Sequence, residues 1–294
     1  GRPFSDPLIA HIADISALQE LTSHIPTSAT RLAEAFWPGP LTLILPRGQR
    51  VPSLMTAGLD TVAVRMPRHP VALALIRALG SPVAAPSANR FTHVSPTTAG
   101  HVLADLGGRI PLILDSGPCE VGVESTVLNL CSAIPTILRP GGVSLEELRS
   151  VLPEAQPPEQ RGPAQTDNEA QTAPGQLMTH YSPAVPLLLF DGLPVMMRAA
   201  MLAELKRRRA AGEVVGLLVA DEDMAAFEGS GALVRSLGDA ANPAQIANNL
   251  FAALRSLEDA QVQVILCRNF NAAGLGLAIR DRLLKAAGGE VIHV

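Results

Sequence analysis

The chain has 294 residues, 47% of them hydrophobic and 17% charged, and a net charge of −4. This balance suits a globular enzyme of one large or two modest domains with an adequate core, and a pI near 6.0 argues against a basic coat for nucleic acid. No run is long and apolar enough to span a bilayer, so no membrane role is expected. Cys119, Cys131 and Cys267 form neither a CxxC pair nor a zinc spacing. They read as small buried apolar residues in a reducing, cytoplasmic setting.

Residues 1–150 carry short apolar runs broken by Pro and Gly. The spacing predicts strands at 41–45, 61–65 and 82–85, the last two ended by Pro67 and Pro86. Helical patterns cover 27–36 with Thr27 or Ser28 as cap, 70–79, and 97–106 with Ser95 as cap. Further strands are expected at 112–115 and 125–128, the latter paired hairpin-like with the stretch that ends in Arg139. Ser144 caps a short helix with Glu146 and Glu147 in its first turn, where acids suit the helix dipole. Strands and helices intermix, so the class is α/β or α+β.

Residues 153–176 hold almost no large apolar side chain and read as a loop or linker. The pattern then restarts with strand 185–190, helix 194–210 ending in Lys206-Arg207-Arg208-Arg209, strand 214–219, helix 243–259, strand 262–267 and helix 277–287. Strand–helix alternation implies a small parallel sheet. The expected division is a domain at 1–150, a linker at 151–183 and a domain at 184–294.

Four polar segments of the first domain sit at strand ends or turns, where ligand groups gather in such folds. The first, RPFSDPLIAH at 2–11, offers the Arg2 fork and His11, which read equally as a solvated Arg and a satisfied His. In the second, Arg65 closes an apolar strand and needs a permanent anion, either a ligand carboxylate or a local Asp or Glu. In the third, Ser87 and Ser95 follow a strand and precede a helix, which makes either an anion nest or plain caps. The fourth joins Glu124-Ser125-Thr126 to Arg139-Pro140-Gly141-Gly142, a charged approach to a turn or an ordinary turn. No P-loop, HExxH or GxSxG motif appears, and no Cys or His cluster has metal spacing.

Taken together and in order, RPFSDPLIAH, TVAVRMP, APSANRFTHVSPT, VESTVLNL and LRPGG resemble the YrdC/Sua5 family. HYSP at 180–183 resembles the end of the linker of the long Sua5 form. Leu237-Gly238 and GLGLAIRDR at 274–282 resemble its C-terminal domain. The resemblance implies a YrdC-like twisted mixed sheet with helices, then a linker and a smaller Rossmann-like α/β/α domain. Three departures stand out. The chain opens at Gly1, and the family's preceding segment, with PTxTxYGL and a Lys just before Gly1, is expected upstream. Asp6 replaces the usual Asn, and Phe91-Thr92 replace the usual Ser-Gly.

The resemblance further implies synthesis of threonylcarbamoyl-AMP and pyrophosphate from L-threonine, bicarbonate or CO2, and ATP with Mg2+. The product feeds a separate tRNA threonylcarbamoyl transferase that modifies adenosine 37. His11, Arg65, Ala85 and Ser125 resemble the threonine-binding positions. Arg2, Asp6, Thr61, Ser87, Ser95 and Arg139 resemble the ATP-binding positions, and Tyr181 a residue that closes over the nucleotide. Two other readings are a module that binds double-stranded RNA or tRNA, and a carbamoyl-transfer relative. The second lacks the acylphosphatase and zinc-finger-like segments of such enzymes.

Overall fold

In the computed structural model the described residues are 3–159, 171, 173, 175 and 181–294. Arg2, His180 and most of the expected linker lie outside them. The elements run β1 Ile9–His11, α1 Leu18–Leu21, α2 Thr27–Phe36, β2 Leu41–Pro46, β3 Thr61–Arg65, α3 Pro70–Leu79, β4 Val83–Ala85 and α4 Ala99–Leu106. They continue with β5 Thr126–Asn129, β6 Thr136–Arg139, α5 Leu145–Val151, β7 Leu187–Asp191, α6 Pro194–Ala210, β8 Val215–Val219 and β9 Leu233–Ser236. The last are α7 Pro243–Asp259, β10 Val264–Arg268, α8 Gly276–Ala286 and β11 Val291–His293.

The helix ends follow local chemistry. α5 carries a full capping box between Ser144 and Glu147. α3 starts at Pro70 behind His69, whose ring accepts from the Val71 N–H, and stops at Gly80 in the left-handed region at φ 67°. Two expected caps move. α2 begins at Thr27 with Pro26 in the cap position, and no side chain caps it. α4 is capped by Thr98, whose hydroxyl accepts from the His101 N–H, not by Ser95. Pro96 disfavours helical backbone at Ser95.

Two compact units form. One comprises Gly1–Ser87 and Glu124–Leu177, the other Ala88–Val123 and Met178–Val294. These compact units group residues 88–123 with the second part of the chain. Residues 88–123 pack within the second unit because Val94 and Val123 enter its core and Arg255 ties them down. The Arg255 guanidinium donates to Asp105 Oδ2 at 2.7 Å and also to Val94 O.

The first unit has a six-stranded mixed sheet in the order β4-β1-β3-β2-β5-β6. β1 and β3 are parallel, as are β2 and β5, and the other pairs are antiparallel. One face is apolar: Ala10, Leu43, Leu45, Val62, Val64, Leu128 and Ile137 pack on Ala29, Leu32 and Ala33 of α2 and Leu148 of α5. The second unit has five strands in the order β11-β7-β10-β8-β9, all parallel. Phe190, Leu217 and Leu266 pack with Met197, Met201 and Leu205 of α6 on one face. Leu189, Leu218 and Cys267 pack with α7 and α8 on the other. That is the parallel sheet expected from the alternating pattern, with the α/β/α layering that the family resemblance implies.

Some expectations are corrected. No strand forms at 112–115, and Leu112 and Leu114 are 70% and 54% exposed. An apolar run becomes a strand only with a ladder partner, and none is present among the described residues. β1, β9 and β11 span three or four residues, too short for a period to show in the sequence. Cys119 and Cys131 are exposed and only Cys267 is buried. Among the described residues no helix is long and apolar enough to cross a membrane.

Candidate active site

The pleat decides which side chains share a surface. Residues paired across neighbouring strands point to the same face, and successive residues point to opposite faces. His11 pairs with Arg65, Ile9 pairs with both Ala63 and Ala85, and Ile44 pairs with Ala63. Thr61, Ala63 and Arg65 therefore lie on the face opposite the helices, together with Ile9, His11, Ala85, Thr42 and Val127. The apolar floor of this face is small: Ile9, Ile44, Ala63, Val127 and Ala173.

At one end of this face the charged and hydroxyl residues meet. His11 and Arg65 are the last residues of the parallel strands β1 and β3. Arg65 Nε donates to Gly39 O at 3.0 Å, and Gly39 leads into β2. One residue on, Pro40 O accepts the Thr126 N–H at 2.9 Å. Thr42, fully buried, shares a hydrogen bond of 2.8 Å with Ser125 Oγ. Arg139 is 5% exposed and donates to Ser125 O from Nε and Nη2 at 3.2 and 2.9 Å, and to Ser125 Oγ at 3.1 Å. A register shift between Val127 and Leu128 lets Leu138 and Arg139 share the space opposite Val127. Gly141 packs against the 124–126 backbone, and a Cβ there would run into Glu124 O.

Burial and the neighbouring Arg65 charge push the His11 imidazole down to about 4. It is neutral near pH 7, and its Nδ1 donates to Val83 O at 3.3 Å. Nε2 is then the acceptor nitrogen.

The structure thus brings His11, Arg65, Ser125 and Arg139 to one end of one face. Ala85 and Thr61 share the face but lie toward the other end of their strands. Ser87 follows β4 beyond Ala85 and is exposed, so it does not join the cluster. Asp6 is buried ahead of β1. Ser95 and Tyr181 belong to the second unit. Ser95 O accepts from Arg255 Nε at 3.4 Å, and the Tyr181 ring, 4% exposed, stacks on Phe251 at 5.7 Å. Arg282 and Lys285 stand over that ring at 4.8 and 5.7 Å.

Sequence reading missed Thr42, whose signal was a lone hydroxyl inside a buried strand. It also missed Ala173, fully buried on the floor, beside Gln171, whose N–H donates to Ser5 O at 2.9 Å. A cavity of ≈ 680 Å³ opens on the helix-side face, lined by Ala10, Ala84, Leu21, Val51 and Met55. None of the candidate residues lines it.

Fold and site together define a class: an α/β protein whose first unit presents a guanidinium, hydroxyl and imidazole surface suited to a small anionic substrate, joined to a doubly wound parallel-sheet unit. Residues 1–141 match the Sua5/YciO/YrdC family model, described as telomere recombination, and residues 143–288 match the threonylcarbamoyl-AMP synthase C-terminal domain. The threonylcarbamoyl-AMP synthase of Bacillus subtilis (strain 168) is 44% identical, over 100% of this chain and 82% of its own length. That of Pyrococcus abyssi is 42% identical, over 100% and 84%. The crystal structure of P. abyssi Sua5 complexed with L-threonine matches with a TM-score of 0.92 at 41% identity, covering 100% of this chain and 84% of that one. The chain belongs to the Sua5 branch of the Sua5/YciO/YrdC family.

Proposed function

We propose that the chain is an ATP-dependent threonylcarbamoyl-AMP synthase. L-threonine and bicarbonate give the N-carboxylate of threonine with loss of water. A carbamate oxygen attacks the α-phosphorus of ATP, the bond to the β-phosphate breaks, and pyrophosphate leaves. Such a transfer depends on positioning and charge stabilisation more than on covalent help from the protein. The single observation that carries the reading is the placement of His11, Arg65, Ser125 and Arg139 at one end of one sheet face.

Each group has a chemical use there. Arg65 offers a guanidinium for the threonine carboxylate. Neutral His11 offers Nε2 as an acceptor for the ammonium or hydroxyl of threonine. Ser125, held by Thr42 and Arg139, is oriented toward the same ligand. Arg139 serves the nucleotide, and Mg2+ enters with the triphosphate as part of the substrate. Ala85 lines the threonine side. Ala173 packs on the floor, and Tyr181 is assigned as a closing residue. The product would supply a tRNA threonylcarbamoyl transferase in the cytoplasm.

Pyrophosphate release should require threonine, bicarbonate and ATP together. Equal release with serine, or with bicarbonate omitted, would overturn the reading. An RNA gel shift at physiological salt that survives both Arg65→Ala and Arg139→Ala would favour the RNA-binding alternative.

A further inference from the structure

We propose that Thr42 is a positioning residue of the site: its hydroxyl donates to Ser125 Oγ and thereby fixes Ser125 as a hydrogen-bond donor to the carboxylate of the amino-acid substrate. The proposal rests on the reading of Ser125 as a threonine contact and adds what sets its hydrogen-bond sense.

A count of hydrogens carries it. Thr42 and Ser125 each bring one O–H hydrogen and two acceptor lone pairs. One hydrogen bond of 2.8 Å joins the two oxygens, and either could be its donor. A guanidinium only donates, so Ser125 Oγ is the acceptor of the Arg139 Nη2 bond at 3.1 Å. No other hydrogen bond reaches either hydroxyl among the described residues. Two hydroxyl hydrogens therefore meet one shared bond, and the second hydrogen is left for a ligand.

Burial decides which hydroxyl keeps its hydrogen inside. Thr42 is fully buried within β2, which has β3 on one side and β5 on the other. An O–H hydrogen without an acceptor is costly in such a place. Ser125 stands one residue ahead of β5, whose ladder with β2 begins at Thr126. That is the end of the sheet at which β1 and β3 finish in His11 and Arg65. Thr42 thus donates to Ser125, and both lone pairs of Ser125 Oγ are filled, by Thr42 and by Arg139. Ser125 has only its own hydrogen to offer. It has no room for an ammonium or hydroxyl hydrogen of the substrate, and it calls for an acceptor.

The neighbouring charge names that acceptor. Leu43 pairs with Val64 across the antiparallel β2 and β3, so Thr42, one residue before, stands opposite Arg65, one residue after. A hydroxyl donor bonded to Thr42 is presented beside the strand that ends in a guanidinium, and such a pairing suits a carboxylate. The acceptor nitrogen of His11 serves the opposite need, a substrate N–H or O–H.

Titration calorimetry of the full chain with L-threonine and with L-threoninamide tests the sense. Threoninamide replaces one acceptor oxygen with an N–H donor. In the parent, Ser125 has no lone pair for that N–H, so threonine should bind more tightly. Thr42→Val removes the inner donor and opens a lone pair on Ser125 Oγ. The preference for threonine over threoninamide should then drop about two- to tenfold. Thr42→Ser keeps the hydroxyl and should retain the parent's preference. Thr42→Ala makes the same test if the valine chain does not fold. An unchanged preference, with both ligands weakened alike, would reduce Thr42 to packing within β2 and overturn the proposal. Ser125→Ala separates this failure from that of the underlying reading. If Ser125→Ala weakens threonine binding while the loss of the Thr42 hydroxyl leaves the preference intact, the positioning role fails alone. If Ser125→Ala leaves threonine affinity unchanged, the threonine reading of Ser125 fails with it.

Discussion

Arg139 clasps Ser125: Nε and Nη2 of the buried guanidinium converge on Ser125 O, and Nη2 also reaches Ser125 Oγ. The residue assigned to the nucleotide therefore holds the residue assigned to threonine. Under the proposed roles, one connected set of bonds would position two substrates that must react with each other, and a fault in one should be felt by the other.

Arg139→Lys tests this coupling. Lysine keeps the charge but cannot fork onto the Ser125 carbonyl and hydroxyl. Charge-assisted hydrogen bonds contribute about 1.5–3 kcal/mol each, so turnover should fall between about tenfold and a few hundredfold. Threonine affinity should weaken along with ATP affinity. Pyrophosphate release and isothermal titration with each substrate measure the two effects, and unchanged threonine affinity would break the coupling.

His11 predicts an acid-side loss of stability. Its folded pKa, about 4, lies below the usual histidine value of 6.5. Above 6.5 the ring is neutral in both states and contributes nothing. As pH falls from 6.5 to about 4, the unfolded chain takes up a proton that the folded chain refuses, so stability is lost. The full loss is roughly 3 kcal/mol. Urea midpoints followed from pH 7 to 4 should fall more steeply in the parent than in His11→Gln.

Gly141 and Gly100 make a contrasting pair. A Cβ at Gly141 meets the backbone of Glu124, Ser125 and Thr126, which cannot yield. Gly141→Ala should lower stability by about 1–3 kcal/mol and weaken threonine binding by displacing Ser125. A Cβ at Gly100, inside α4, meets only Thr98 Oγ1 at 3.7 Å. Gly100→Ala should raise stability by up to about 1 kcal/mol. Thermal melts of the two chains should move in opposite directions.

Tyr181 lies in a buried sandwich of Phe251, Arg282 and Lys285 and sits in the left-handed region at φ 65°. Removing a buried aromatic ring costs about 3–5 kcal/mol, so Tyr181→Ala should melt the second unit at lower denaturant. Tyr181→Phe keeps the ring and its cation contacts and should stay within about 1 kcal/mol of the parent. If nucleotide affinity in Tyr181→Ala stays unchanged at a denaturant-free temperature, the ring serves the second unit alone and not the nucleotide.

The sequence by itself determined the ordered motifs, the α/β class and the parallel second sheet, because each depends on local periods, caps and turn residues. It also marked Arg65, Ser125 and Arg139 as residues needing an explanation. Only the tertiary structure decided which face they share, because facing follows from register between strands far apart in the chain. The short strand β1 shows why: three residues carry no legible period, yet pairing with both β3 and β4 places His11 beside Arg65. Residues 88–123 show the same limit. Their motif reads as part of the first domain, but Arg255, 150 residues beyond Asp105, anchors them in the second, and no local rule foretells a bond across that separation.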